Sequence, residues 1–120
     1  FGGNGHQVRD VLHIYDLCDL IYSQIRKMSK INNQLFTVGG GLKNSISLTQ
    51  LVKMCEDKFN IKIKIKKIKQ TSKYDIPYFV TSNKKVNKFY SWKPKRNLEI
   101  IFDDIYIWMN KYKIKLKKYL

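Results

Sequence analysis

The sequence predicts an α/β fold, with about four short strands and four helices in a single domain over residues 1–120. Two kinds of pattern alternate along the chain. Short apolar runs are typical of strands, and stretches with an apolar residue every three or four positions are typical of amphipathic helices. No Ser/Gly-rich linker or internal repeat marks a domain boundary. With 43% hydrophobic residues, a chain of this length can form one small core.

The first third of the chain is expected to hold two strands and one helix. An apolar run over Val8–Ile14 predicts the first strand. Asp16 can cap the following helix, whose apolar positions over Leu17–Met28 recur at helical spacing. Gln34–Val38 has the pattern of a second, buried strand. The glycine run Gly39–Gly41 would end that strand and admit close backbone packing.

The middle of the chain predicts a helix and a third strand. Ser47 and Gln50 have the spacing of a capping box, and apolar residues over Leu48–Phe59 then form one stripe. Isoleucine alternates with lysine over Ile61–Lys69, which is typical of a half-buried strand with a solvated lysine face. A nucleic-acid-binding row of lysines is the functional alternative for this segment.

The last third is expected to contain a fourth strand and two helices. Tyr78–Val80 has the apolar and aromatic character of a short strand. Ser82 can cap a small helix that carries Val86 and Phe89. Asn97 would begin the final helix, which has acidic residues in its early turns and lysines at its end, the order that the helix dipole favours.

The chain is strongly basic, with a formal net charge of +15. A nucleic-acid-binding surface is one explanation. However, 21 of the 24 basic residues are lysine, and isoleucine, asparagine and tyrosine are also frequent, which is the set that an AT-rich genome encodes. Compositional bias is therefore the expected source of the charge. Nonspecific, salt-sensitive adhesion to nucleic acid is expected in either case.

No membrane span or metal site is predicted. No apolar run approaches the roughly 20 residues that a bilayer crossing requires. Cys18 and Cys55 are expected to be small buried hydrophobes in a reducing, cytoplasmic setting. The two cysteines and two histidines lack the spacing of zinc ligands.

Arg9 is the strongest candidate site residue because it lies inside the apolar pattern VRDVLHI. Burying a guanidinium without a partner is unfavourable, so an arginine in this place is expected to bind an acid of the protein or an external anion. An ion pair with Asp10 or Asp16 is the structural alternative. Asp10 is expected to hold local strand or turn geometry, and His13 is expected to be a structural histidine.

Three segments in series resemble the extended short-chain dehydrogenase/reductase family of nucleotide-sugar epimerases and dehydratases. They are QVRDVLHIYDLCDLI, FTVGGGLKNSISL and DIPYFVTSNKKVNKFYSWKPKRNLEIIFDDIYIWM, and they cover nearly the whole chain in matching order. Within the family, the chain looks most like the branch of CDP-tyvelose (CDP-paratose) 2-epimerases. The resemblance implies the carboxyl-terminal, substrate-binding portion of such an enzyme.

Two motifs of that family do not occur in the chain: the dinucleotide-binding fingerprint G-x-x-G-x-x-G and the catalytic Tyr-x-x-x-Lys pair. The chain is therefore expected to lack the Rossmann cofactor half and to contribute no catalytic, cofactor-binding or metal-binding residue. NAD would be bound by the other half of a full-length enzyme. Without the cofactor half, the apolar helix faces over Leu17–Ile25 and Leu48–Phe59 are expected to be exposed. Self-association, or a cofactor-domain partner chain, would then cover them.

The resemblance also implies a set of substrate-binding residues. Arg9 matches the arginine that reaches the diphosphate of the nucleotide-sugar, and Asp75 matches the acid near the nucleotide ribose, with a turn residue as its structural alternative. Lys73 would supply positive charge where relatives have an arginine three residues before the acid and this chain has Ser72. Phe1 falls near the place where relatives pack an apolar side chain against the base.

Two functional hypotheses follow. In the first, the chain is a substrate-side part of an NAD-dependent nucleotide-sugar epimerase or dehydratase. It positions the diphosphate of a CDP- or UDP-sugar and is inactive alone, so whether the chain counts as an enzyme is left open. In the second, it is a non-enzymatic binding module that contacts protein or a polyanion through its lysine-rich surface.

Overall fold

The computed structural model describes residues 3–66 and 74–119. The predicted α/β class is confirmed, with three strands and five α-helices in these ranges instead of about four of each. The strands are β1 (Val8–Asp10), β2 (Ser45–Ser47) and β3 (Tyr78–Phe79). The α-helices are α1 (Ile14–Arg26), α2 (Leu48–Phe59), α3 (Lys84–Tyr90), α4 (Leu98–Lys111) and α5 (Lys113–Leu116), and a 3-10 helix covers Leu42–Asn44.

The small sheet has the order β2-β1-β3, so β1 is the central strand. It runs antiparallel to β2 and parallel to β3, and Arg9 lies between Ile46 on one side and Phe79 on the other. The Val8 amide also donates to the carbonyl of Pro77, the residue before β3, at 2.9 Å. This bond brings the residues just before β3 against the start of β1.

The buried core lies between α1 and α3. Leu20 of α1 packs with Val86 and Tyr90 of α3, and Trp92 closes the cluster. Phe36 meets the Tyr90 ring edge-on, with 5.4 Å between ring centroids. Burying each of the large side chains contributes about 1.5–3 kcal/mol of transfer free energy, so this cluster is the main apolar contribution that holds α1 against α3.

Two apolar helix faces are covered to different degrees. Ile21 and Ile25 of α1 are exposed, as the sequence predicts for that face, whereas Leu20 of the same face is buried in the core. The stripe of α2 is half-buried, because α4 packs beside it: Phe59 stacks on Tyr106 at 4.3 Å between ring centroids. The prediction that both faces are left exposed is therefore wrong for α2. No helix in the described ranges has both the length and the apolar character that a membrane crossing needs.

Helix starts agree with the sequence at two of four places. The Ser47–Gln50 capping box is present, and Asn97 caps α4 by accepting the Ile100 amide at 3.0 Å. Asp16 and Ser82 are not caps; α1 begins after His13, and α3 begins after Asn83. Asp16 lies three positions after the true N-cap of α1, and Ser82 lies one position before the true N-cap of α3.

Two predicted strands are not found within the described residues. Gln34–Val38 has no regular secondary structure and does not join the sheet. Its apolar residues, Phe36 and Val38, pack against the core instead. Ile61–Lys66, the described part of the lysine–isoleucine segment, is not a strand either. The amide of Ile63 donates to the Glu56 side chain at 2.9 Å, so this backbone bonds to the end of α2.

The cysteines are less buried than predicted. Cys18 is exposed, Cys55 is half-buried, and both are free thiols. Cys18 is two positions from the buried Leu20, which places it about 200° away around the helix. The expectation of two buried cysteines is therefore wrong.

Candidate functional site

The candidate site is built on one face of β1, where side chains two residues apart point the same way. Gln7, just before β1, and Arg9 share this face, whereas Val8 and Asp10 point to the other. Asp75 reaches the same place because the chain approaches β3 through Pro77, whose carbonyl is bonded to Val8.

Arg9 and Asp75 form a direct ion pair. The Nη2 group of Arg9 donates to Asp75 Oδ1 at 2.8 Å, and its Nη1 group donates to the Val8 carbonyl at 2.8 Å. Gln7 Nε2 donates to the second carboxylate oxygen of Asp75 at 3.2 Å. The structure thus brings together two predicted site residues that are 66 positions apart in the chain.

The partner of Arg9 differs from the predicted structural alternative, which was Asp10 or Asp16. Arg9 is 43% exposed and Asp75 30% exposed, so the pair is open to solvent on one side. An ion pair of this exposure contributes roughly 0–1 kcal/mol to stability. The closed ion pair therefore gains little free energy. An anionic ligand can take the place of Asp75 beside Arg9, and a hydroxyl or cationic group can take the place of Arg9 beside Asp75.

Two further predicted site residues, Lys73 and Phe1, lie outside the described residues. The same is true of Ser72, at the position where relatives have an arginine. Their relation to Arg9 and Asp75 stays a prediction from the resemblance.

The opposite face of β1 is occupied by the glycine run. Asp10 Oδ2 accepts the Gly41 amide at 2.8 Å, and its other oxygen accepts the Thr81 hydroxyl at 3.4 Å. A side chain at Gly39 would overlap Asp10 and Thr81, and one at Gly40 would overlap the Val11 carbonyl. The prediction that Asp10 holds local geometry agrees with these contacts, as does the prediction that the glycines admit close backbone packing.

The glycine run does not fit a dinucleotide. A pyrophosphate needs free backbone N–H groups at a helix N-terminus. Here the Gly39 amide donates to Asn83 Oδ1 at 3.2 Å and the Gly41 amide donates to Asp10, so both donors are already used by side chains of the chain itself.

Sequence reasoning missed the role of Asp16. This carboxylate is 1% exposed, and one oxygen accepts the Arg96 guanidinium at 2.6 Å. The other oxygen accepts the backbone amides of Lys95 and Arg96, each at 3.1 Å. Asp16 therefore fastens the segment after α3 to α1. One sequence signal could have indicated that Asp16 is buried: it lies four positions before the apolar Leu20, which puts both residues on one helix face.

His13 is structural, as predicted. Its Nδ1 atom accepts the Tyr15 amide at 3.1 Å, which caps α1. Since Nδ1 accepts, the ring proton is on Nε2, which donates to Asp104 Oδ2 of α4 at 3.0 Å. His13 thus starts one helix and holds another.

Replacing His13 with alanine is expected to lower the free energy of unfolding by about 2 kcal/mol, through loss of both the cap and the contact with Asp104. Asparagine at the same place keeps an acceptor at the N-cap and should recover part of this loss. Urea unfolding followed by circular dichroism measures both variants. Equal stability of the alanine variant and the unchanged protein would contradict the capping role.

Among residues 3–66 and 74–119, no group of three or more His, Cys, Asp or Glu side chains is placed to hold a metal ion.

Comparison with known proteins places these features in a family context. The chain is 36% identical over 106 residues to CDP-paratose 2-epimerase of Salmonella typhi, a match that covers 88% of this chain and 31% of that protein. The chain thus spans about a third of the length of the curated relative that it matches. No family model matches the chain.

Two solved structures show the same fold. The dTDP-glucose 4,6-dehydratase of Bacillus anthracis, solved in complex with NAD, has a TM-score of 0.76 and 21% identity; the match covers 92% of this chain and 34% of that one. The UDP-glucose 4-epimerase of Thermotoga maritima, solved with UDP-glucose, has a TM-score of 0.68 and 23% identity, over 84% of this chain and 31% of that one. These matches confirm the resemblance predicted from the sequence.

Proposed function

We propose that this chain, which corresponds to the carboxyl-terminal part of extended short-chain dehydrogenase/reductase nucleotide-sugar epimerases and dehydratases, positions the diphosphate of a CDP- or UDP-sugar. Arg9 binds the diphosphate and Asp75 accepts a hydroxyl of the nucleotide ribose. The observation that carries the proposal is the solvent-open ion pair between these two residues.

Binding is an exchange of partners at the guanidinium. Arginine presents five N–H donors in a planar fork that matches two phosphate oxygens, and a diphosphate satisfies that fork better than one carboxylate oxygen does. When the anion takes Arg9, the carboxylate of Asp75 becomes an acceptor for a hydroxyl group. Gln7, which donates to Asp75 at 3.2 Å, keeps that carboxylate oriented during the exchange.

The chain contributes orientation and not bond chemistry under this proposal. Holding the nucleotide in place accelerates a reaction only by fixing the sugar relative to groups that react with it. The sequence contains neither the dinucleotide fingerprint nor a Tyr-x-x-x-Lys pair, so hydride and proton transfer would depend on residues outside this sequence. Alone, the chain is expected to bind nucleotide-sugars without converting them.

Replacing Arg9 with alanine should weaken binding of UDP, CDP and their sugars by about 10- to 100-fold, the loss of one charge-assisted bidentate contact. Lysine at this position should recover only part of the affinity because a point charge cannot reproduce the fork. Isothermal titration calorimetry measures both variants. Arg26→Ala is the matched control: it removes the same charge from an arginine that lies over the Tyr22 ring of α1, and it should change affinity less than about twofold.

Asp75→Asn separates the ribose contact from the phosphate contact. This variant should weaken UDP binding and leave inorganic pyrophosphate binding unchanged or stronger, since it removes a competing anion from Arg9. Equal nucleotide affinity of Arg9→Ala and the unchanged chain would remove the proposed role.

Several broader expectations stay predictions. They are a single domain over residues 1–120, a cytoplasmic location, self-association or a cofactor-domain partner, and nonspecific adhesion to nucleic acid. The alternative of a non-enzymatic binding module also stays a prediction. The exposed apolar face of α1 is the feature that a second copy or a partner chain would cover.

A further inference from the structure

A second concave surface lies on the side of β1 toward which Asp10 points, away from Arg9. It is a cleft of about 720 Å³ with walls from three separate segments: the glycine run with the 3-10 helix (40–44), the start of α3 (81–87), and the segment before α4 (93–97). Neither Arg9 nor Asp75 lines it. We call it the lysine cleft.

Hydrogen bonds between the three segments fix the walls of the lysine cleft. The Asn83 amide group bonds to both the N–H and the carbonyl of Gly39, at 3.2 and 2.8 Å. Buried Asn44 donates to the Arg96 carbonyl at 2.8 Å. Asp16 holds the Lys95 and Arg96 amides from below. The cleft is thus preformed and does not depend on a ligand to assemble.

The charge of the lysine cleft has one sign. Lys43 comes from the first wall, Lys84 from the second, and Lys93 and Lys95 from the third. Arg96 also lines the cleft but is committed to Asp16. No carboxylate lines the cleft, and none of the ion pairs found among the described residues involves any of the four lysines.

Lysine-rich composition alone does not account for this arrangement. Another concave surface, beside α2, is lined by Lys53 and Lys58 together with Asp57 and Glu99, so its charges balance. In the lysine cleft, four exposed lysines from distant parts of the chain line one concavity without a balancing acid. Such a concentration of like charge around one concavity favours an anionic ligand, because the field of the four lysines adds within it.

We propose that the lysine cleft binds a compact anion that carries three linked phosphate groups, one more than the diphosphate assigned to Arg9. Its volume lies within the roughly 300–1,000 Å³ range of small-molecule sites, and three lysine-bearing walls can contact several phosphates at once. Lysine suits this ligand as a point charge that needs no fixed geometry. The site is separate from the proposed diphosphate contact at Arg9, because it lies on the other face of β1.

Inorganic tripolyphosphate is the probe, titrated calorimetrically at fixed ionic strength. The double variant Lys84→Gln/Lys95→Gln removes two cations from different walls and should weaken binding by at least about tenfold. Lys113→Gln/Lys117→Gln, which removes the same charge from the region of α5, is the matched control and should weaken it less than about twofold. Arg9→Ala should retain the tripolyphosphate affinity, which distinguishes this site from the proposed nucleotide site.

Three results would overturn the proposal: equal weakening by the two double variants, no tripolyphosphate binding by the unchanged chain, or loss of binding on Arg9→Ala alone. Binding of a single-stranded RNA without binding of tripolyphosphate would also contradict it, since the ligand would then be an extended polyanion. Circular dichroism of both double variants establishes that all compared chains are folded.

Discussion

Replacing Asp16 with asparagine is expected to lower the free energy of unfolding by about 2–4 kcal/mol, since breaking a buried ion pair from one side leaves the other charge uncompensated. The carboxylate accepts the Arg96 guanidinium and the Lys95 and Arg96 amides. An asparagine of the same shape loses the negative charge and turns an amide N–H group toward donors. The estimate is below the usual range for a fully buried pair because Arg96 is partly exposed.

Asp19→Asn is the matched control for this effect. Asp19 faces the same guanidinium at 3.7 Å but is 50% exposed, so its loss should change stability by less than about 0.5 kcal/mol. Urea unfolding followed by circular dichroism gives both values. If the two variants were equally stable, burial of Asp16 would not be what fastens the segment after α3 to α1.

Gly40→Ala is expected to lower the free energy of unfolding by about 2–3 kcal/mol, the upper part of the range for overpacking. A Cβ atom there would overlap the backbone carbonyl of Val11 and would lie 2.9 Å from the Asn44 Cβ atom. The backbone cannot move aside easily, because the Val11 amide is bonded to the Asn44 carbonyl at 2.9 Å. The same change should distort the first wall of the lysine cleft.

Gly41→Ala separates steric overlap from backbone strain. Gly41 has φ of +72°, and a Cβ atom there would meet its first neighbour, the Asn83 side chain, at 3.4 Å. Its substitution should therefore cost about 1–3 kcal/mol, because φ of +72° with ψ of −175° is a backbone conformation that essentially only glycine adopts. Thermal unfolding measures both variants, and unchanged stability of either one would contradict the cause assigned to it.

Local signals in the sequence predicted the helices better than the strands. Ser47 with Gln50 and Asn97 mark helix starts through contacts within four residues, and both are confirmed. Strands depend on a partner edge elsewhere in the chain. Gln34–Val38 has a strand-like pattern but finds β1 already paired on both sides, whereas Ser45–Ser47, with little apolar pattern, pairs with it.

The contact between Arg9 and Asp75 was not predictable from the sequence. The resemblance to a family named Arg9 and Asp75, yet the sequence suggested only nearby acids, Asp10 and Asp16, as partners. The ion pair with Asp75 depends on the parallel register of β1 and β3, which no local pattern reveals. Asp16 was misread for the same reason: its partners near Arg96 are 79 and 80 positions away.

A backbone-amide NMR titration of the isotope-labelled chain with UDP tests the proposed binding role of Arg9 and Asp75. The largest chemical-shift changes are expected at Gln7–Arg9 and around Asp75 and β3, and they should disappear in Arg9→Ala. Shift changes confined to the lysine cleft, or changes near β1 that persist in Arg9→Ala, would contradict this role.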